Sequence, residues 1–187
     1  MNASQSPVAN RGIPPQPFLD ELILWGRNAP EELFAPNPNP KDIYVSVMPV
    51  LGPWQGAIHR RAVMLEVMRV LAGFESSWDW TKGVDTTNQR SMAHIESQEA
   101  GAWQVSYDSL GFGDDLKQLC YQTMGFTAPS FSVRDFIRTM KKDHVFAMEY
   151  IARLLRHTVQ HNGPVARKEI HPWLRREAVM EFEHVLV

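Results

Sequence analysis

Residues 54–74 constrain the fold more than any other part of this sequence. Their apolar residues recur at helical spacing in two stripes: Ile58, Ala62, Leu65, Met68 and Ala72, and then Met64, Val67, Leu71 and Phe74. Two stripes on one helix indicate that it is buried around most of its circumference. Glu66 and Arg69 interrupt the apolar surface, and a spacing of three residues lets them form an ion pair. The segment therefore predicts a central helix around which the chain packs.

Helical spacing of apolar residues continues over most of the remaining sequence, and glycine, proline and capping residues divide it into segments. The predicted helices cover residues 17–25, ending at Gly26; residues 114–125; residues 132 to about 162, opened by a capping box of Ser132 and Asp135; and a C-terminal helix from residue 171. Residues 41–50 are compatible with a strand or a short helix. The sequence thus predicts a mainly α fold, a helical globule with an irregular polar segment in its middle.

The chain divides into a smaller N-terminal part and one larger domain. Residues 1–16 are polar and predict a loose arm, and prolines between residues 29 and 40 disfavour helix there. We expect residues 1–40 to form an arm, a short helix and a proline-rich loop, and residues 41–187 to form the main domain. The single cysteine, Cys120, lies in a helical pattern and is interpreted as a small buried hydrophobic residue.

Composition excludes some classes of partner. A net charge of −2 and a pI of about 6.4 do not provide the basic face that nucleic-acid binding requires. No run of apolar residues approaches the roughly 20 that a membrane-spanning helix needs, so no membrane insertion is expected. The N-terminus has no basic segment followed by an apolar one, and we expect a protein made in the cytoplasm without a cleaved signal peptide.

A lone glutamate follows the predicted central helix. Glu75 lies at the end of an apolar segment and directly precedes tryptophans and small polar residues. Burial and the negative end of a helix dipole both raise the pKa of such a carboxyl group. Cleavage of a glycosidic bond needs this kind of group, because the acid must still carry its proton near neutral pH to protonate the leaving oxygen. The same pattern is also compatible with a solvated glutamate that has no catalytic role.

Two short motifs resemble those of one enzyme superfamily. Phe-Glu-Ser-Ser-Trp at residues 74–78 resembles the glutamate–serine motif of goose-type lysozymes and lytic transglycosylases. Gly-Ala-Trp-Gln at residues 101–104 resembles their downstream Gly-Leu-Met-Gln motif, with Ala-Trp in place of Leu-Met. The resemblance covers residues 57–109. It implies a lysozyme-like helical fold, the glycan strand of peptidoglycan as substrate, Glu75 as the catalytic acid and Gln104 as a residue that shapes the site.

A second catalytic carboxylate is less well defined. Retaining hydrolysis places it roughly 5–5.5 Å from the acid, and inverting hydrolysis roughly 6.5–9.5 Å away. Asp79, Asp85 and Glu99 are candidates, and we favour Asp85 because its polar loop could position a water molecule. Lytic transglycosylases need no second carboxylate, since a hydroxyl of the sugar attacks, so both reactions remain open. The residues expected to bind the substrate are Ser76, Trp78, Asp79, Glu99, Trp103, Gln104 and Tyr107.

The chain also resembles a particular group of cell-wall enzymes. Small, cysteine-poor, lysozyme-like proteins without a cleaved signal peptide include the glycoside hydrolase effectors of type VI secretion systems. This resemblance implies action in the periplasm of rival cells and a cognate immunity protein that occupies the active-site cleft. Two alternatives are a transglycosylase of a phage or of cell-wall remodelling, and a non-catalytic module that holds glycan or a partner on Trp78, Trp80 and Trp103.

No metal or cofactor is expected from the sequence. His157 and His161 are four residues apart on a predicted helix, which is a spacing used by metal ligands. The glutamate of a His-Glu-x-x-His motif is absent, however. Histidines near a helix C-terminus are also favoured by the helix dipole without any metal.

Overall fold

The computed structural model describes residues 2–83, 94–125 and 131–187, and this part of the chain is mainly helical. Its α-helices are α1 (Gln16–Asn28), α2 (Ile43–Leu51), α3 (Ala57–Ser76), α4 (Asp114–Met124), α5 (Val133–Lys142), α6 (His144–His157), α7 (Gly163–Ala166) and α8 (Arg176–Leu186). Short 3₁₀ helices cover Ala3–Gln5, Glu31–Phe34, Ile95–Ser97, Tyr107–Phe112 and His171–Trp173. A two-stranded antiparallel hairpin joins β1 (Glu99–Ala100) to β2 (Val105–Ser106), with Glu99 opposite Ser106.

Helix α3 is the central element of the fold, as predicted. It packs most extensively against α8 and also contacts α1, α2, α6 and α7. Both predicted apolar stripes are buried along most of their length. Because neighbours cover α3 on several sides, the elements packed around it fix the position of its C-terminal end, where Glu75 lies.

The predicted Glu66–Arg69 ion pair is confirmed, and it is completely buried. Both side chains are 0% exposed, and the guanidinium donates two hydrogen bonds to the carboxylate, at 2.7 and 2.8 Å. The Arg175 backbone N–H donates a third to Glu66, at 2.9 Å. Arg69 also donates to the Ser6 carbonyl at 3.1 Å. The pair thus joins α3 to the N-terminal segment and to the residues that precede α8.

The N-terminal residues are docked on the fold, so the prediction of a loose arm is wrong. Val8 is completely buried and packs at Gly73 of α3, where an added Cβ would lie 3.1 Å from the valine side chain. The backbone N–H groups of Ala3 and Ser4 donate hydrogen bonds to the Glu181 carboxylate on α8. The polar composition of this segment gave no indication of its buried apolar residues and its backbone bonds.

Several helix boundaries differ from those predicted, and the C-terminal helix predicted from residue 171 begins only at Arg176. Helix α1 continues past Gly26, where an added Cβ would lie 2.8 Å from the Leu65 side chain, so this glycine allows close packing and does not end the helix. The long helix predicted from residue 132 is two helices that meet at Asp143. That residue leaves helical geometry and accepts a hydrogen bond at 2.9 Å from the Phe146 N–H, which caps α6.

Other local predictions agree with the structure. Ser132 and Asp135 form the expected capping box, and α4 ends at Gly125 in left-handed geometry. Most of the ambiguous residues 41–50 belong to α2, which begins after Asp42 because that side chain accepts a hydrogen bond from the Tyr44 N–H at 3.0 Å. Cys120 is buried, and burial raises the pKa of its thiol to about 12. In the described part of the chain, no helix is both long enough and apolar enough to cross a membrane.

Candidate active site

Glu75 lies in the last turn of α3 with its side chain half-buried. Burial is the main cause that raises the pKa of its carboxyl group to about 7, and the negative charge of Glu99 adds to this effect. A hydrogen bond from Asn162 and the positive charges of Arg167 and Arg11 act in the opposite direction. The carboxyl group therefore exchanges its proton near neutral pH, as the sequence predicted for an acid at this position.

The chain reverses direction immediately after Glu75. Ser77 and Trp78 both adopt left-handed backbone geometry, with φ of 57° and 62°. The Trp78 backbone N–H donates to the Ala72 carbonyl at 3.1 Å, and its indole N–H donates to the Arg69 carbonyl at 2.9 Å. Trp78 is consequently buried against α3. The prediction that its ring faces the substrate is wrong, because this ring stabilises the end of the helix instead.

The Gly-x-x-Gln motif forms the turn between β1 and β2. Gly101 has a φ of +75°, and an added Cβ would lie 2.8 Å from the Met140 carbonyl oxygen, so glycine is required for both conformation and space. Gln104 is also left-handed, with a φ of 46°, and its amide donates to the Gly101 carbonyl at 3.0 Å. Gln104 is buried and shapes the turn from within, and its amide group is engaged there instead of facing a ligand.

Ser76 connects this turn to the end of α3. Its hydroxyl donates to the Ala102 carbonyl at 2.7 Å and accepts a hydrogen bond from the Asp79 N–H at 3.0 Å. The buried side chain therefore holds the two motifs together and does not contact solvent freely. Its expected role in substrate binding is corrected to positioning, since it fixes the hairpin turn beside Glu75.

Asn162, just before α7, is the residue of this site that sequence reasoning missed. Its Nδ2 donates to the Trp103 carbonyl at 3.2 Å and to a Glu75 carboxylate oxygen at 3.4 Å. The side chain is 4% exposed, and its Oδ1 is buried without a hydrogen-bond partner among the described residues. The sequence shows only Asn-Gly-Pro at this point, which is a turn signal and gives no indication of a contact with Glu75.

Trp103 and Trp80 differ in their surroundings. Trp103 is completely buried, and its indole N–H donates to the Met68 carbonyl at 2.9 Å, so the prediction that it binds substrate is wrong. Trp80 is half-buried and stacks on His144 with ring centroids 3.9 Å apart. Of the three tryptophans proposed as platforms, Trp78 and Trp103 thus form part of the core.

The candidate second carboxylates lie in different settings. Asp79 is exposed and accepts two hydrogen bonds at 2.8 Å from the backbone and hydroxyl of Thr81, as turn residues do. Glu99 lies on β1 close enough for its charge to raise the pKa of Glu75. Asp85 lies outside the described residues, and its catalytic role stays a prediction.

Tyr107 and the two histidines belong to other contacts. The Tyr107 ring packs edge-on against the rings of Phe131 and Phe136, with ring centroids 5.8 Å apart in each pair. Much of its surface is therefore covered by these two rings. His157 lies 2.6 Å from an Asp115 carboxylate oxygen, whereas the His161 ring packs against another aromatic ring. In residues 2–83, 94–125 and 131–187, no group of three or more His, Cys, Asp or Glu side chains is arranged to hold a metal ion.

Comparisons with protein-family models, curated proteins and solved structures find no match to this chain. The geometry around Glu75 is therefore the basis for assigning a function. Glu75 does not line the cavities that lie beside α2, beside residues 32–39, between α4 and α5, between α1 and α8, and between α1 and α6. The described features of its site are a carboxyl group with raised proton affinity, a buried amide beside it and a second carboxylate nearby.

Proposed function

We propose that this protein is a glycoside hydrolase that cleaves the glycan strand of peptidoglycan, with Glu75 as the general acid. The observation that carries the proposal is the burial of Glu75 at the end of α3, which raises the pKa of its carboxyl group to about 7. A large share of such groups carries the proton at neutral pH and can transfer it to the leaving oxygen of a glycosidic bond. The two motifs that resemble those of lysozymes and lytic transglycosylases support the choice of substrate.

Some neighbours of Glu75 favour its protonated form, and others favour the carboxylate that remains after proton transfer. Before transfer, the burial of Glu75 and the charge of Glu99 favour the protonated acid. After transfer, Asn162, Arg167 and Arg11 stabilise the carboxylate, through one hydrogen bond and two positive charges. Glu99 is a candidate for the second carboxylate on this evidence, beside the predicted Asp85.

The proposal extends to the biological setting predicted from the sequence. We propose that the protein acts as an antibacterial effector in the periplasm of rival cells, and that an immunity protein covers the Glu75 site in the producing cell. This part of the proposal is supported by the resemblance over residues 57–109.

The test is incubation of the purified protein with purified peptidoglycan sacculi, followed by mass analysis of the soluble products. Products with reducing ends identify a hydrolase, and products that lack one water molecule identify a lytic transglycosylase. Glu75→Gln should lower the rate by about 10²- to 10⁴-fold, the usual contribution of a general acid. The matched control is Glu177→Gln, at an exposed glutamate on α8, which should leave the rate unchanged.

Two outcomes would contradict parts of the proposal. An undiminished rate for Glu75→Gln would show that another carboxyl group is the acid. Absence of glycan cleavage by the unaltered protein would exclude the enzymatic function. If the protein then still co-sedimented with sacculi, the module that binds glycan without cleaving it would be the better explanation.

A further inference from the structure

A groove between α1 and α8 is separate from the site around Glu75. Its volume is about 680 Å³, and Glu75 is not among the residues that line it. On α1 the lining extends from Gln16 to Ile23, and on α8 it extends from Glu177 to Val185. These positions span about 10 Å and about 12 Å along the two helix axes, so the groove is long enough for about two turns of a further helix.

The floor of this groove is apolar. Leu19 of α1 and Phe182 of α8 are 2% and 1% exposed, and Ile23 and Val185 are half-buried beside them. Met180 forms part of the wall and is 66% exposed. A flexible, exposed methionine beside an apolar groove is typical of surfaces that bind the apolar face of a partner helix.

The rim of the groove carries negative charge. Asp20 on α1 and Glu177 on α8 are exposed, and neither forms an ion pair among the described residues. Asp20 accepts a hydrogen bond only from the neutral amide of Gln16, at 2.8 Å. None of the described lining residues is a lysine or an arginine, and His184 is the one histidine among them. Carboxylates without a cationic partner on both walls favour an occupant that carries positive charge.

The other charged groups at this groove already have partners. Glu181 accepts hydrogen bonds from the backbone N–H groups of Ala3 and Ser4, at 2.5 and 2.9 Å. Burial raises the pKa of its carboxyl group, but the hydrogen bonds from Ser4 and Ala3 outweigh this effect and lower the pKa below its ordinary value. Arg27 reaches one end of the groove, where it donates to the Val185 carbonyl at 2.9 and 2.7 Å. It pairs with no carboxylate in the described structure, so the two rim carboxylates remain uncompensated.

The cavity between α1 and α6 shows what compensation would look like. Two carboxylates, Glu21 and Glu149, line that cavity as well. Glu21, however, lies 2.5 Å from His144 Nδ1, and Glu149 accepts a hydrogen bond from Arg153 at 2.6 Å. A carboxylate with a partner inside the protein needs none from a ligand. The rim of the groove between α1 and α8 has no such partners among the described residues.

We propose that the groove between α1 and α8 docks a short amphipathic helix of a partner protein, with basic residues on both sides of its apolar face. Apolar side chains three and four positions apart on that helix would pack on the floor and against Met180. Lysine or arginine side chains at its two edges would pair with Asp20 on one wall and with Glu177 on the other. A third helix placed along two helices buries its apolar face as helices do inside globular proteins.

The probe is a synthetic peptide of about 15 residues, which is long enough to form a helix when bound. It has leucine at every third or fourth position and lysine on both sides of this stripe. Fluorescence anisotropy of the labelled peptide with the full chain should show saturable binding, with a Kd on the order of 10 μM, as for small transient interfaces. A peptide of the same composition whose leucines form no stripe is the control, and it should bind at least about tenfold more weakly.

Two matched comparisons test the charges and the apolar contact. Asp20→Asn combined with Glu177→Gln should weaken binding about tenfold, whereas Glu31→Gln combined with Glu183→Gln removes the same charge outside the groove and should change it less than about twofold. Met180→Ala should weaken binding about fivefold. Leu24→Ala, at a leucine 60% exposed on α1 outside the groove, should not weaken it. Circular dichroism checks that each variant is folded.

Equal weakening by the two double variants would overturn the proposal, because it would indicate attraction to the acidic protein as a whole. Equal affinity for the two peptides would overturn it, as would the absence of saturable binding. A dimer of the unaltered protein that Met180→Ala dissociates in sedimentation would show that a second copy of the chain covers the groove, and the proposal would be wrong. None of these measurements involves peptidoglycan, so the outcome does not depend on the function proposed for Glu75.

Discussion

Two glutamates on α3, nine residues apart, have opposite surroundings. Glu66 is 0% exposed and accepts three hydrogen bonds, two from Arg69 and one from the Arg175 backbone, at 2.7 to 2.9 Å. Glu75 is half-buried and has one described hydrogen bond, a long one of 3.4 Å from Asn162. Burial alone therefore does not define a reactive carboxyl group on this helix. Among the described residues, Glu75 has no close cationic partner, and this sets it apart from Glu66.

The position along the helix explains part of this difference. Glu66 lies midway along α3, where Arg69 on the same helix and the Arg175 backbone N–H before α8 surround it with donors. Glu75 lies in the last turn, where backbone carbonyls lack intrahelical partners and the helix dipole is negative. Arg167 and Arg11 act on Glu75 through their charges without a described hydrogen bond to it. Burial raises the pKa of both carboxyl groups, but the donors around Glu66 hold it in one ion pair, whereas Glu75 keeps a proton that exchanges near pH 7.

The largest expected effect concerns Glu66. Arg69→Ala would leave its carboxylate buried with only the backbone donor, and the loss of one partner of a buried ion pair typically destabilises by about 3–5 kcal/mol. Urea unfolding monitored by circular dichroism measures this change in the free energy of unfolding. The double replacement Glu66→Met with Arg69→Met should be less harmful, because it leaves no buried charge unpaired. A loss below about 1 kcal/mol for Arg69→Ala would contradict the assigned structural role.

The next effect concerns Glu75 and stability. The folded protein holds this proton up to a pH of about 7, whereas an ordinary glutamate releases it near 4.5. Because the folded state binds more protons between these values, the free energy of unfolding should fall by about 3 kcal/mol as the pH rises through them. Glu75→Gln removes this dependence. It should therefore match the unaltered protein near pH 4 and exceed its stability near pH 8, as measured by denaturant unfolding at both pH values.

Equal stability of the unaltered protein and of Glu75→Gln near pH 8 would contradict the contrast drawn between Glu66 and Glu75. Glu75 would then be a solvated glutamate at a helix end, and its burial would have no energetic consequence. Glu177→Gln is again the control, since an exposed glutamate should give no difference between the two pH values.

A smaller effect is expected on the pH dependence of activity. If protonated Glu75 is the acid, the rate of glycan cleavage should fall as the pH rises above about 7, by about tenfold per pH unit in the limit. The measurement is the initial rate of release of soluble glycan from sacculi over a pH series. A rate that stays constant well above pH 7 would contradict the role of Glu75 as the acid.

The sequence predicted those features that depend on the spacing of residues close together in the chain. The buried α3, the Glu66–Arg69 pair and the capping box at Ser132 follow from residues three or four positions apart, and each is confirmed. Asp143 shows the limit of this reasoning, because a side chain that caps a new helix interrupted a continuous apolar pattern. Local patterns do not report which of two compatible backbone geometries the tertiary packing selects.

The site was predictable only at its centre. Glu75 was identified from its helix and its neighbours in sequence, but Asn162 comes from 87 positions away and depends on the packing of α7 beside α3. The tryptophans could not be distinguished by composition. Trp78 and Trp103 are buried because their indole N–H groups reach backbone carbonyls of α3, which is a tertiary contact. Residue type predicts that the tryptophans provide apolar surface, but the tertiary fold decides which rings are buried and which are exposed.

The smallest effect separates the two roles of Asn162. Asn162→Ala removes a hydrogen bond that favours the charged form of Glu75, so the pKa of this carboxyl group should rise further and the alkaline fall in activity should move to higher pH. Stability should decrease by about 1 kcal/mol, since the Trp103 carbonyl loses its donor. Asn28→Ala, at an exposed amide that bonds the Leu24 carbonyl, is the control and should not move the pH profile. If Asn162→Ala lowered stability without moving the profile, Asn162 would support Trp103 alone, and the proton affinity of Glu75 would depend on burial and charge.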